Sequence, residues 1–448
     1  MIKERAKKIA EYLFCLLIFL LPWSTRWIYL PAFLNGQYWE YGTLSLYVTE
    51  LFFAVLAIFV IGIFWSKIVV QSSDLSWSRI KRQDKLVLLF IVYLLFNLWL
   101  SLHQAISWQY FTWLLQGMAM FYLWRLLSNI WQKANYSLLA AGLVQSTLAI
   151  WQFLEQRVSA NKWLGMAEHL VTTPGASVVE GAGRFLRAYG SFSHPNILGG
   201  FLALVIIVNI YWLWRFYQQS GVITRSSHYR QVIHYLFLVS SLMISSYALC
   251  LTFARSAWLA LGVGLIFLAI TTYRRQSKVE TIIGVKILIT ILLVIVLFIS
   301  VNSQLFFSRF SGQSRLEVMS NQQRYTALVE VKSVIVHNLL LGVGLGNYTT
   351  YGYWLNQTHA AWDYQPAHNL YLLVWSEIGL IGLLILLGFI LLVIKSLWPI
   401  DTVEKRIKLC LAITLLLIGL FDHYWWSLYN GIIIWWLAWG WINHANKE

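Results

Sequence analysis

Apolar runs long enough to cross a bilayer recur along nearly the whole 448-residue chain, and no other feature limits its fold so sharply. About 20 helical residues span the hydrocarbon core of a membrane. Inside lipid only helices and closed barrels satisfy every backbone N–H and C=O. Residues 282–301 show none of the period-two alternation that a barrel strand requires, so the runs read as helices. Composition agrees: 11% of residues are charged, against about 25% in an ordinary soluble domain. The sequence predicts an all-α fold, a polytopic membrane helical bundle forming a single domain over residues 1–448.

Twelve spans are expected, beginning near Glu11, Leu44, Leu86, Phe111, Ser137, Ile197, His234, Ser256, Thr281, Leu370, Cys410 and Tyr429. With the N-terminus inside, 23 of the 33 Lys and Arg residues fall on the inner side. The positive-inside rule then puts both termini in the cytoplasm. This topology depends on reading residues 235–270 as two spans. Lys3 to Lys8 followed by an apolar run resembles a signal peptide, but no small-residue cleavage site follows, and the segment reads as an uncleaved first helix. The net charge of +15 fits inner loops and anionic lipid better than nucleic acid. Cys15, Cys250 and Cys410 all lie in apolar spans and suggest no disulfide framework.

Two outer loops are long, residues 157–196 and residues 302–369. The first ends in Arg184, Arg187, Gly190, His194, Pro195 and Asn196. Pro195 suits the first turn of a helix. The N–H groups exposed there form an anion site in principle, and Arg187 could clamp a diphosphate with its forked guanidinium. Binding of lipid headgroups by these arginines is the alternative. Arg255 interrupts an apolar stretch, which marks function by default, unless it snorkels to the interface.

In the second loop, Leu328, Val331 and Ile335 mark an apolar face beginning near Arg324, as in an amphipathic helix at an interface. Residues 342–347 form a G-x-G-x-G run with no βαβ context, so a tight turn is expected there rather than a nucleotide site. Tyr351, Tyr353, Trp354, Trp362 and Tyr364 suit either stacking on sugar rings or an interfacial belt. His368 stands at a helix mouth, where its ordinary pKa suits proton transfer near neutrality; a structural histidine is the alternative. Glu377 lies within a span and must face protein or water. Asp422, at another outer helix end, could orient a base or pair with an arginine. No metal-binding motif and no cofactor site stands out.

Taken in order, these segments resemble the O-antigen ligase and O-antigen polymerase family, from roughly residue 184 to residue 382. The resemblance is carried by R-x-x-G-x-F-x-x-P-N (Arg187, Gly190, Phe192, Pro195, Asn196), by Thr252 with Arg255, by Arg324, and by the glycine turn. The last piece is the run His368, Asn369, Tyr371, Glu377, Gly379 and Gly382. Family members often have Ser before and Gly after the second arginine, where this chain has Ala254 and Ser256.

The resemblance implies a GT-C-like architecture, with short helices in a large extracytoplasmic loop, in a bacterial inner membrane. It implies an inverting, metal-independent glycosyltransferase that moves a glycan from undecaprenyl diphosphate to a hydroxyl on lipid A–core or a similar acceptor. Arg187 and Arg255 would stabilise the leaving diphosphate, and His368 would orient or deprotonate the acceptor. Arg184, His194, Asn196, Arg324, Asn369, Glu377 and Asp422 would bind substrate. A polymerase joining lipid-linked repeat units and a protein O-glycan transferase are alternatives within this chemistry. A lipid-linked oligosaccharide flippase is the alternative from another class, although a transporter should hold its charges near the bilayer midplane.

Overall fold

The computed structural model describes residues 2–73, 80–181, 183–219, 228–311 and 315–444. A helix covers each of the twelve stretches expected to span. They are α1 (Ile2–Leu20), α2 (Val48–Ser73), α3 (Arg82–Trp99), α4 (Gln104–Leu126), α5 (Trp131–Glu155), α6 (Pro195–Gln219), α7 (His228–Leu251), α8 (Arg255–Tyr273) and α9 (Lys278–Ser311). After α10 (Arg315–His337) and α11 (Tyr348–Leu355) come α12 (Leu370–Lys395), α13 (Val403–Phe421), the one-turn α14 (Tyr424–Ser427) and α15 (Tyr429–Asn443). Among the described residues six helices, α5 to α9 and α12, are long and apolar enough to cross a membrane. The chain is a multi-pass helical membrane protein.

Helix α6 lies at the centre, with the whole of its most apolar stretch enclosed by protein. Nearly all of α15 is enclosed as well. By contrast α9 turns Ile282, Val285, Ile289, Leu292, Leu293 and Val296 outward, an apolar face suited to lipid. Small residues allow the tightest approaches. A Cβ at Gly264 of α8 would meet Thr414 Oγ1 at 2.5 Å, and one at Gly440 of α15 would meet Trp124 at 2.6 Å.

Residues 235–270 do form two helices. The reversal between α7 and α8 takes three residues, with Phe253 held at φ +48°. That conformation costs a bulky side chain about 1–3 kcal/mol. Burial of the ring against Phe153, Trp258 and Phe298 offsets the strain. Thr252 Oγ1 accepts from Ala254 N at 3.2 Å and donates to Leu249 O at 2.6 Å, which closes the turn.

The connections at residues 21–47 and 157–196 depart from a purely helical expectation. Residues 21–47 build two antiparallel pairs, β1 (Arg26–Leu30) with β4 (Leu44–Tyr47), and β2 (Phe33–Leu34) with β3 (Gln37–Tyr38). The 157–196 loop builds two more, β5 (Arg157–Val158) with β6 (His169–Leu170), and β7 (Val178–Glu180) with β8 (Arg184–Leu186). In the 302–369 loop α9 continues beyond its kink at Asn302 as far as Ser311. Helix α10 is also longer than the face expected from Arg324 onward. Its Val331, Val334 and Ile335 are buried, while Leu328 is exposed.

Candidate active site

Two cavities meet at one histidine. The larger, about 440 Å³, is lined by Arg26, Glu40, Tyr41, His194, Asn196, Gln365, His368, Asp422 and His423 among others. The smaller, about 340 Å³, lies between α10 and residues 359–368, and shares Gln365 and His368 with the first.

His368 reaches this position because α12 starts beside it. Asn369 caps that helix, its Oδ1 accepting from Leu372 N at 3.0 Å, and its Nδ2 donates to Leu420 O at 3.1 Å. The imidazole is mostly enclosed, and no described group bonds to its Nδ1. Its ring lies 5.1 Å from that of His423. Burial first, with Arg324 adding to it and Asp422 opposing, pushes its pKa below the ordinary histidine value. The ring is therefore neutral near pH 7 and free to accept a proton.

His194 and His423 are also held neutral. Burial dominates for His194, and Arg187, His368, His423 and Arg309 all disfavour its charged form. Its Nδ1 accepts from Asn196 N at 3.1 Å, so the ring proton sits on Nε2, 2.8 Å from Ser177 Oγ. For His423 burial again leads, with His368 second. Its Nδ1 pairs with Ser427 Oγ at 2.6 Å.

Behind this cavity wall, arginines gather on the α7–α8 turn. Arg187 Nε donates to Thr252 O at 2.6 Å, and its Nη2 donates to Asn196 Oδ1 at 2.6 Å. Arg309 Nε donates to Phe253 O at 3.4 Å, and Arg255 Nη1 donates to Arg309 O at 3.4 Å. Arg187 and Arg309 thus bond carbonyls of one turn, and Arg255, which follows the turn, bonds the backbone of Arg309. Asp422 joins the group: its Oδ1 accepts from Asn196 Nδ2 at 3.1 Å and its Oδ2 from Ser256 Oγ at 2.7 Å.

Residues 239–387 match the O-antigen ligase family. The ligase-family segment begins in α7 and ends in α12, so it contains Arg255, Arg309, Arg324, His368, Asn369 and Glu377. Arg187, His194 and Asn196 precede it and Asp422 follows it; Arg187 bonds its α7–α8 turn, Asp422 bonds its Ser256, and His194, Asn196 and Asp422 line the larger cavity with its His368. No curated protein matches the sequence.

Not every expected site residue comes to the cavities. Glu377, inside the ligase-family segment, is buried and lines neither of them. Its Oε2 accepts from Gly346 N at 2.9 Å and from Trp426 Nε1 at 2.8 Å. Around it, α12 opens at Gly379 (φ +69°). The carbonyls of Ser376 and Glu377 then accept from Val343 N and Gly344 N, both at 2.9 Å. The E-x-G run and the glycine turn are two halves of one lock that sets the height of α12. Arg184 sits on the exposed β7–β8 hairpin, 3.9 Å from Glu180. Arg324, on α10, lies near enough to His368 to influence its charge.

Four participants were not singled out from sequence. Arg309 was one basic loop residue among several; the signal for it was helical pattern continuing past Asn302. His423 follows Asp422 directly, and buried polar pairs at a helix end are a general pointer. Arg26 and Glu40 belong to a connection that looked short and plain. They form a two-bond ion pair at 2.6 and 2.8 Å in the cavity wall, across the β1–β4 arch.

Proposed function

We propose that the chain is an O-antigen-ligase-like glycosyltransferase, working on the outer face of a bacterial cytoplasmic membrane it crosses twelve times. It takes a glycan from undecaprenyl diphosphate and passes it to a hydroxyl of lipid A–core or a similar acceptor. The observation that carries this reading is the position of His368. A neutral imidazole lines both cavities, and Asp422, which lines the larger one with it, is tied through Asn196 and Ser256 to the arginine-bonded α7–α8 turn.

The reaction follows from that geometry. The acceptor O–H gives its proton to His368 as its oxygen bonds to the anomeric carbon. The bond from that carbon to the diphosphate oxygen breaks, and its electron pair leaves on the diphosphate. Attack from the side opposite the leaving group inverts the anomeric centre. Preorganised guanidiniums meet the developing negative charge, which is the role assigned to Arg187, Arg255 and Arg309, with Arg324 beside the base. Asn196, His194 and Asp422 hold this machinery in register. No step in this scheme calls on a metal ion or a cofactor.

Purified protein in lipid nanodiscs, supplied with polyprenyl-diphosphate glycan, candidate acceptors and a chelator, tests this directly. A new glycosidic bond that is lost on His368→Ala supports the transferase. Movement of the carrier across the bilayer without a new bond would replace it with a flippase. If the preferred acceptor is a second lipid-linked repeat unit, the enzyme is a polymerase.

A further inference from the structure

The smaller cavity differs from the larger in chemistry. Six of its lining residues, Met319, Gln322, Gln323, Thr326, Ala327 and Glu330, come from one face of α10. Their spacing of three and four residues makes a continuous stripe along the helix. Val331, Val334 and Ile335, which flank the stripe one turn from Ala327 and Glu330, are buried, while Tyr325 and Leu328 on the far side of the helix are exposed. An interfacial helix should turn its apolar face to lipid and its polar face to water. Here Tyr325, Leu328 and Val329 are exposed, in keeping with an interface, but the polar stripe forms the wall of a cleft rather than an open face.

The side chains of Gln322, Gln323, Thr326 and Glu330 make no hydrogen bond with any described residue. Facing them are Asp363, His359 and the exposed indole of Trp362. The segment carrying the indole is fixed from outside. Asn35 Nδ2 donates to Gln357 O at 2.7 Å and to His359 O at 2.9 Å, and Ala361 N donates to Gln37 Oε1 at 3.0 Å. The β2–β3 hairpin therefore holds Trp362 opposite the stripe.

Amides both donate and accept, and carboxylates accept from hydroxyls. An exposed indole offers an apolar face with a polar edge. Among the described lining residues there is no Lys or Arg, and two carboxylates would repel a phosphate. Such a wall suits a neutral, hydroxyl-rich chain and rejects a diphosphate.

We propose that this cleft is the acceptor-saccharide subsite, with Trp362 as its stacking platform and Gln322, Gln323, Thr326, Glu330 and Asp363 as hydroxyl partners. The assignment rests on the transferase reading above. The arginine cluster lies behind the larger cavity, so the leaving diphosphate belongs on that side of His368. The hydroxyl that His368 deprotonates must approach from the other side.

The test uses the full chain in nanodiscs with two readouts. The first is binding to an array of bacterial core and O-chain oligosaccharides free of lipid and phosphate. The second is steady-state transfer with donor and acceptor varied separately. Trp362→Ala and Gln323→Ala should each weaken array binding at least tenfold. Each should raise KM for the acceptor by a similar factor and leave KM for the donor unchanged. A rise in donor KM alone would assign the cleft to the donor's glycan chain and overturn the proposal. Unchanged transfer kinetics and array binding would overturn it outright while leaving the transferase intact. Array binding lost in these variants, in a protein that forms no glycosidic bond with any donor, would keep the saccharide site and sink the transferase.

Discussion

Ser256 Oγ donates to Asp422 Oδ2 at 2.7 Å and so ties the first turn of α8 to the end of α13. The other oxygen of the same carboxylate accepts from Asn196 at the start of α6. Three helix ends thus converge on one buried charge. Position 256 is where the family resemblance leads one to expect glycine, and here a hydroxyl supplies one of the two bonds. A hydrogen bond to a charged group contributes about 1.5–3 kcal/mol. Ser256→Ala should lower unfolding stability by an amount in that range, read by denaturant titration of the detergent-solubilised protein. Stability equal to wild type would mean that water replaces the hydroxyl freely.

Arg309 is predicted to stabilise the leaving group. Arg309→Ala should reduce transfer about 100- to 1,000-fold, the loss typical when one preorganised donor to a developing anion is removed. Arg309→Lys should recover part of the activity because it keeps the charge but loses the fork. Wild-type turnover in Arg309→Ala would show that the arginine serves only to hold the Phe253 turn.

Much of this arrangement was legible in the sequence, and the reasons for the rest are physical. Helices announce themselves through long apolar runs, so α1 to α9, α12, α13 and α15 could all be anticipated. Pro195 marked a helix start by its backbone chemistry, whereas the capping role of Asn369 appears only in the structure. A shared side for Arg255 and His368 depended on the two-helix reading of residues 235–270. The structure resolves it into α7 and α8. The β-hairpins of residues 21–47 could not be seen, since strands of two to five residues leave no readable period. Glu377 looked like a functional residue because a carboxylate within a span must find partners. Its partners are Gly346 and Trp426, and only their folding onto α12 reveals them.

The glycine turn permits a sharp comparison. Gly344 has φ +105°, and a Cβ there would meet Ser101 Cβ at 2.6 Å. Gly262, in α8, has open space around its Cβ position. Gly344→Ala should destabilise by more than about 1 kcal/mol, since both backbone and packing oppose it. Gly262→Ala should be neutral or stabilise by up to about 1 kcal/mol through helix propensity. Thermal unfolding of the two variants in the same detergent measures the contrast, and equal shifts would show that the turn yields.

If His368 is the base, activity must fall on acidification. Protonation removes the acceptor lone pair, and burial holds the pKa below the ordinary 6.5. The kcat/KM profile should be flat from pH 7 upward to about pH 8 and bend downward only below 6.5. His368→Ala should abolish this limb along with about 100- to 10,000-fold of the rate. A limb that survives the substitution would assign it to another group.

The same histidines make stability depend on pH. His194 and His423 have pKa values well below 6.5 in the folded chain, whereas unfolded they return to the ordinary value. Between those limits the unfolded state binds protons that the folded state does not, so unfolding becomes easier as pH falls. Above pH 6.5 neither state is protonated and the effect vanishes. Each imidazole should therefore remove up to about 1.4 kcal/mol per pH unit below 6.5. For His194 burial opposes protonation most, and the nearby Arg187, His368, His423 and Arg309 add to it. His423→Gln removes one titrating ring and should make the acid branch of the stability curve shallower, while its level above pH 7 shifts by a constant amount. An acid branch of unchanged slope would locate the proton uptake in other residues.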